Sequence, residues 1–248
     1  DCDGKRLKKE VLAVKVGGIN IHEFTEMSAV DALGFIEKLS LEGKDELIAK
    51  EIIKQGVLKG VSAIAGFHNK PDLPLGTIGI KSGPLMAAVD RFEVKINGTG
   101  THAAAPQNGN DPIVTASQIV TSIQSIVSRY VSPVDMAIIS VTKISGGNTW
   151  NVIPESVIME GTMRTFKESV QERIKKLFVQ VIKNYTEAFD QKYEISWGDA
   201  HSFVDNDKIL AEAIGKEASI FADIKIPEIT TGGEDFSFYQ KEVPGLFA

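Results

Sequence analysis

Apolar positions along this chain change their spacing several times, and each change marks an element. In VLAVKVGGINIHEF (residues 11–24) apolar and polar side chains alternate on either side of Gly17 and Gly18, the period-two pattern of a hairpin. SAVDALGFIEKL (28–39) follows at helical spacing, with Ser28 placed to cap it and Asp31 in the capping-box position. A second helix, charged on one face, is predicted over about 43–55. From Gly56 the pattern shortens to brief strands punctuated by Gly and Pro, GVSAIAGFHNKPDLPLGTIGIKSGP.

The middle of the chain is the most regular. DRFEVKING alternates as a strand, and DPIVTASQIVTSIQSIVSRY is a helix opened by Asp111 with Pro112 in its first turn. Ala116, Val120, Ile123, Val127 and Tyr130 fall on one face of it. DMAIISVTKISGG and ESVIMEGTMRTF are predicted strands. SVQERIKKLFVQVIKNYTEAF is an amphipathic helix with Ile174, Leu177, Phe178, Val181, Ile182 and Tyr185 on its stripe, and KYEISW closes the set as a strand. A β-α-β-β-α-β order over about 90–197 predicts a split-βαβ domain, a four-stranded antiparallel sheet covered by two helices. Beyond it, NDKILAEAIGKEASIF reads as a helix and TTGGEDFSFY as a Gly-rich turn feeding acidic and aromatic residues. The apolar end PGLFA has the look of an interrupted segment, and the start at Asp1 that of a trimmed or partial product.

Composition narrows the function classes. The chain has 248 residues, 43% hydrophobic and 24% charged, ordinary for a soluble globular protein. A formal net charge of -6 argues against nucleic acid or an anionic membrane as the main partner. No apolar run reaches the roughly 20 residues of a membrane span, and the given residues hold no basic-then-apolar stretch of the signal-peptide kind, so no secretory leader is expected among them. The lone cysteine, Cys2, excludes an internal disulfide and fits a cytoplasmic setting.

For chemistry, the histidines His22, His68, His102 and His201 are too far apart to pair on a helix face, and there is no H-E-x-x-H, C-x-x-C or Glu-Glu motif. Each can be a surface or hydrogen-bonded core residue. His68 stands out by its setting, where an apolar strand empties into a polar loop. Arg164 in GTMRTF can grip a carboxylate through two parallel hydrogen bonds or lie on a strand surface. Asn151 in NTWNVIP can face a ligand or bond its own turn. A G-x-S-x-G elbow and a phosphate loop are both missing.

The ordered set GVLKGVSAIAGFHNKPDLPLGTIGIKSGPLMAAVDRFEVKINGTGTHAAAPQNGNDP, GGNTWNVIPESVIMEGTMRTF and TTGGEDFSFY resembles the metal-dependent amidohydrolases typified by hippurate hydrolase, N-acyl-amino-acid deacylase and indoleacetyl-amino-acid hydrolase. The resemblance covers about residues 56–248. It implies an α/β architecture: a zinc-aminopeptidase-like catalytic domain, here pieces 56–88 and 199–248, interrupted by a ferredoxin-like lid and dimerisation domain, 89–198. It implies a divalent metal, zinc or manganese, with His68 as a ligand. By the same resemblance His102 stabilises the oxyanion in the site of the other protomer, and Asn151 and Arg164 line the substrate end. The expected partners are a small N-acyl amino acid and a second copy of the chain.

Residues 1–55 depart from that family. Its C-G-H-D cluster and P-A-E-E glutamate pair are missing, and Glu42, near where the pair belongs, lacks the flanking residues. This segment instead resembles part of the bacterial DNA-repair excinuclease ABC, C-x-G-x-R-L being the tail of a cysteine-rich element, with a junction expected near Gln55–Gly56. The expectations are therefore an incomplete or impaired amidohydrolase, or an inactive fragment that serves as a dimerisation module. A DNA-repair fragment is the least favoured reading, since the net charge gives it no support.

Overall fold

The computed structural model describes residues 52–248 and, upstream, only positions 15–16, 19–20, 23 and 27. The predicted helix over 28–39 with its Ser28 cap, Cys2, Glu42, most of the helix over 43–55 and nearly all of the excinuclease-like segment lie outside the described residues. The chain divides into two compact units, Asp1–Asp45 and Glu46–Ala248. In the first, β1 (Lys15–Val16) pairs antiparallel with β2 (Ile19–Asn20), on either side of the Gly-Gly pair as the alternation predicts.

The second unit runs β3 (Ile64–Gly66), β4 (Thr77–Gly79), β5 (Gly83–Met86), β6 (Ala88–Asn97), β7 (Thr101–His102), α1 (Pro112–Tyr130), β8 (Ala137–Gly146), β9 (Val152–Ile153), β10 (Ser156–Thr165), α2 (Glu168–Ala188), β11 (Lys192–His201), β12 (Val204–Asn206), α3 (Lys208–Ala218), β13 (Asp223–Lys225), α4 (Phe236–Gln240) and β14 (Gly245–Phe247). Its largest sheet has the order β11-β6-β10-β8, all neighbours antiparallel. The connectivity through it is β-α-β-β-α-β, with α1 and α2 on one face.

Local chemistry explains these elements. Asp111 caps α1, its carboxylate accepting from Ile113 N–H at 2.8 Å and Val114 N–H at 3.4 Å, while Pro112 supplies the fixed φ of the first turn. α2 buries Ile174, Phe178, Ile182 and Thr186, and half-buries Leu177, Val181 and Tyr185, close to the predicted stripe. On α1 the buried row is Ala116, Ile119, Ile123 and Ile126; Val120 and Val127 are at its margin and Tyr130 is exposed. The helix rests on both the sheet and α2, so the covered arc is wider and turned from the sequence stripe. Along β6 and β10 the helix-facing residues alternate strictly, Phe92, Val94 and Ile96 against Val157, Met159 and Met163. Opposite the bulge at Thr142 of β8, Gly161 of β10 is required: a Cβ there would lie 2.1 Å from Ser140 O and 2.3 Å from Phe92 Cζ.

The remaining strands come in pairs: β3 with β14 and β4 with β13, both parallel, and β5 with β12, antiparallel. They carry two small cores, one around Ile80, Ala211, Ala218 and Leu246 and one around Leu85, Val204, Phe236 and Phe247. Asn206 ties them together: its amide donates to Lys81 O and Phe247 O and accepts from Phe247 N–H. The strand before His68 differs from its apolar sequence. Phe67 is 83% exposed and Ala65 is exposed, because β3 has a neighbour on one edge only among the described residues.

Candidate functional site

His68 follows β3 by two residues, and its backbone N–H bonds Ala248 O at 3.0 Å. Its ring Nε2 lies 2.6 Å from Glu234 Oε2, and Phe247 meets the ring edge-on at 4.9 Å between centroids. The imidazole is 60% exposed and the Glu234 side chain 14%. Two residues 166 apart in sequence are thus joined where β3 and the GGED turn converge.

The carboxyls of Glu234 and Asp235 are pushed in opposite directions. Burial raises Glu234, but hydrogen bonds with Asp235, His68 and the Phe236 N–H outweigh it and hold the group below the usual carboxylate range. Asp235 lies above its usual range through burial and its bond to Glu234, with His201 pulling the other way. Glu234 is therefore the acceptor of the pair and Asp235 the more readily protonated member.

The GGED turn is seated on the large sheet. A Cβ on Gly233 would come within 2.3 Å of Val89 Cγ2 and 3.6 Å of the His201 ring. Val89 on β6 is paired with Arg164 on β10 and with His201 on β11, so these three side chains form one row across the sheet, on the face away from the helices. At about 4.8 Å between strands the row spans about 10 Å. Arg164 is half-buried; its Nη1 donates to Met163 O at 3.4 Å, and burial draws the guanidinium below its ordinary value against the opposing pull of Asp90. Asp90, itself 2% exposed, is held by Gln171 at 2.6 Å and by Lys175 at 2.5 Å.

His102 and Asn151 lie together elsewhere. β7 pairs with β9 with His102 opposite Val152, and Ala103 N–H bonds Asn151 O at 2.9 Å. The His102 ring is exposed, with Nδ1 accepting from Ala104 N–H at 3.1 Å. Asn151 Oδ1 accepts from Thr149 at 3.3 Å. This arm continues the β6–β10 ladder outward from Asn97 and Ser156, whereas Val89 and Arg164 are at the ladder's other end. The run from Val89 to Asn97 alone covers about 26 Å at about 3.3 Å per residue. Within one protomer His68 is joined to Glu234 beside the Arg164 row, and His102 with Asn151 is remote from both.

Glu234, Asp235 and His201 have no role that the sequence alone assigns. The Gly-Gly pair before two acids and an aromatic run is their one local signal, and nothing in it points to His68. For a metal, His68 and Glu234 are suitable donors, but among the described residues no group of three or more His, Cys, Asp and Glu side chains could hold an ion. That falls short of the set a tightly bound zinc requires, so these residues alone do not fit the expected cation.

A profile of the peptidase dimerisation domain of the M20 type matches residues 89–190. The chain is 44% identical over 221 residues to the N-acetyl-L-cysteine deacetylase of Bacillus subtilis, which covers 84% of this chain and 53% of the deacetylase. It is 36% identical over 214 residues to an IAA-amino acid hydrolase of Arabidopsis thaliana, 81% of this chain and 47% of the hydrolase. The crystal structure of a Bacillus subtilis dinuclear metal-binding peptidase of the M20 family superposes with a TM-score of 0.67 at 38% identity, over 80% of this chain and 50% of that one. No helix among the described residues is long and apolar enough to cross a membrane. The chain spans about half the length of the relatives it matches. Over the four-fifths of its length that these relatives cover, the chain is a homologue of these amidohydrolases and shares the fold of the M20-family peptidase, with the peptidase dimerisation domain at its centre.

Proposed function

We propose that this chain carries part of the active site of a metal-dependent amidohydrolase cleaving small N-acyl amino acids, with two copies sharing each site. Arg164, on the sheet row beneath the GGED turn, binds the carboxylate of the substrate's amino-acid part through its fork of donors. Asn151 offers its amide to the substrate from the arm. His102 donates a hydrogen bond to the former carbonyl oxygen as negative charge gathers there, an interaction made only as the tetrahedral intermediate forms. The cation expected of the family has no complete ligand set among the described residues, and the chemistry assigned here is that of these side chains alone.

The observation that carries this reading is the position of His102. It is exposed, at the far end of a ladder about 26 Å long from Arg164. A histidine so placed cannot reach the His68 end of its own protomer, and a second copy is what would bring one to that site. The incomplete donor set favours a companion statement: the chain as it stands hydrolyses N-acyl amino acids poorly or not at all.

The test is a transplant. Residues 56–248 replace their counterpart in the Bacillus subtilis N-acetyl-L-cysteine deacetylase, and hydrolysis of N-acetylcysteine is followed. The hybrid turns over, and its His102→Ala form loses about 10²–10³-fold in kcat, about 2.7–4 kcal/mol, with metal content unchanged. Loss of metal on that substitution would make His102 a ligand instead. A folded, metal-bearing hybrid without activity would remove the functional reading.

A further inference from the structure

We infer that Trp150 is a specificity-determining residue, its indole closing over the acyl group of the substrate held in the site of the other copy. The inference rests on the amidohydrolase reading above, with each site shared by two copies. It adds which half of the substrate the arm selects.

The two tryptophans of the chain have opposite settings. Trp197 lies 5.9 Å from Phe178 and 6.5 Å from Phe92 between ring centroids, with the Lys175 ammonium 5.0 Å from its own ring. Trp150 is 92% exposed. An indole has more apolar area to cover than almost any other side chain, and here its own protomer leaves that area in water. A single exposed apolar residue needs no explanation, but Trp150 is not single. Val152 on the same arm is 43% exposed, and Ala103 and Ala104 are exposed beside it. His102 is paired with Val152 across the β7–β9 ladder, so imidazole and valine share one face. The arm thus ends in an apolar patch around the one histidine assigned to the reacting carbonyl.

The backbone holds this patch in place. Gly147, at a φ of +81°, turns the chain as it leaves β8, a conformation that glycine adopts without steric cost. The residues on either side of Trp150 are bonded to each other, the Thr149 hydroxyl donating to Asn151 Oδ1 at 3.3 Å. Asn151 O in turn accepts from Ala103 N–H at 2.9 Å. Trp150 is therefore fixed one residue from Asn151, on a turn tied to the strand that carries His102.

Substrate chemistry gives the occupant. Arg164 of one copy takes the carboxylate, and His102 and Asn151 of the other meet the carbonyl. The carbonyl carbon has two substituents: the amide nitrogen, whose amino-acid part runs towards Arg164, and the acyl chain, which runs away from it. Trp150 arrives with the arm and so stands on the acyl side. An indole face beside a valine offers apolar area and little hydrogen bonding, which suits an alkyl or aryl chain longer than acetyl. In an apolar pocket one methylene is worth about tenfold or more in discrimination.

The hybrid enzyme carrying residues 56–248 is assayed on N-acetyl-, N-butanoyl-, N-hexanoyl- and N-benzoylcysteine. Binding of the matching ketone analogues, with methylene in place of the amide N–H, is measured by calorimetry. The expected result is a kcat/KM that rises with acyl size. Trp150→Ala lowers the hexanoyl-to-acetyl ratio at least about tenfold, mainly through KM, and Trp150→Phe restores most of it. Metal content, melting midpoint and dimer mass stay as they were, since the indole is exposed. An equal loss at every acyl length overturns the inference, as does dissociation of the dimer on Trp150→Ala. A change in preference between N-acetylalanine and N-acetylphenylalanine, with the acyl ratio unmoved, overturns it too by placing Trp150 on the other side of the scissile bond. A hybrid that binds the hexanoyl analogue at least about tenfold more tightly than its Trp150→Ala form, yet hydrolyses nothing, keeps the acyl contact and removes the hydrolytic reading. Turnover indifferent to acyl length in both forms does the reverse, and absence of both turnover and analogue binding removes both.

Discussion

Gly233→Ala tests whether the turn that carries Glu234 is seated on the sheet. The added methyl would lie 2.3 Å from Val89 Cγ2, far inside contact distance. Val89 cannot yield easily: it is β-branched and stands on β6, between β10 and β11. Overpacking of this kind costs about 1–3 kcal/mol, and about 2 is a fair central value. In a chain of this size that lowers the melting midpoint by about 4–8 °C, at 2–4 °C per kcal/mol. Val89→Ala alone removes two carbons from a half-buried site and costs about 0.8 kcal/mol at about 0.8 per fully buried methylene. If the two groups meet, removing the valine methyls makes room for the new one, and the double variant loses about 0.8 rather than the sum of about 2.8 kcal/mol. Urea unfolding of the four proteins measures the coupling, about 2 kcal/mol. The His68 ring resonances provide a second readout: they shift in Gly233→Ala as the Glu234 contact loosens and return in the double variant. Additive losses, within about 0.5 kcal/mol, would show that the turn does not rest on Val89 and that the bridge from sheet to His68 is misplaced.

Two further outcomes follow from the packing and the charges of the sheet. Phe178 is fully buried, with ring centroids 4.6 Å from Phe92 and 5.9 Å from Trp197, so Phe178→Ala costs about 3–5 kcal/mol and changes Trp197 fluorescence, whereas an unchanged urea midpoint would contradict the core assignment. Glu160 is held below the usual glutamate range, first by the Lys143 hydrogen bond and then by that of Arg91. A depressed carboxyl adds stability above its unfolded value and loses it as pH falls through the folded one, so Glu160→Gln flattens the acid side of the stability curve below the ordinary glutamate range; an unaltered acid limb would count against the pairing.

The parts of the fold that local rules govern are legible in the sequence. The cap at Asp111, the proline in the first turn of α1, the stripe of α2 and the alternation along β6 and β10 each depend on neighbours in sequence. The row of α1 is turned because Ile119 and Ile126 answer to α2 and the sheet together, which no single-helix pattern contains. β3 has the composition of an interior strand; its exposure reflects a neighbour on one side only among the described residues. Of the candidate site, His68 can be picked out by its position after a strand. Its partner Glu234 cannot, since the contact closes a separation of 166 residues. His102 and Asn151 stand in separate motifs, and only the β7–β9 pairing makes them neighbours. The row of Arg164, Val89 and His201 is a matter of strand register, which sequence alternation leaves open.

The length of the β6–β10 ladder has a genetic consequence. A stiff ribbon keeps its tips apart whatever the surrounding loops do, so under the proposed sharing of each site between two copies a lesion at the His102 tip and a lesion at the Arg164 tip strike different pairings. When two defective alleles of the active hybrid enzyme, one of each kind, are present in the same cell, that proposal has half of the pairs combine one of each. In every such pair one pairing joins two sound tips, and the cross is expected to recover activity that neither parent shows.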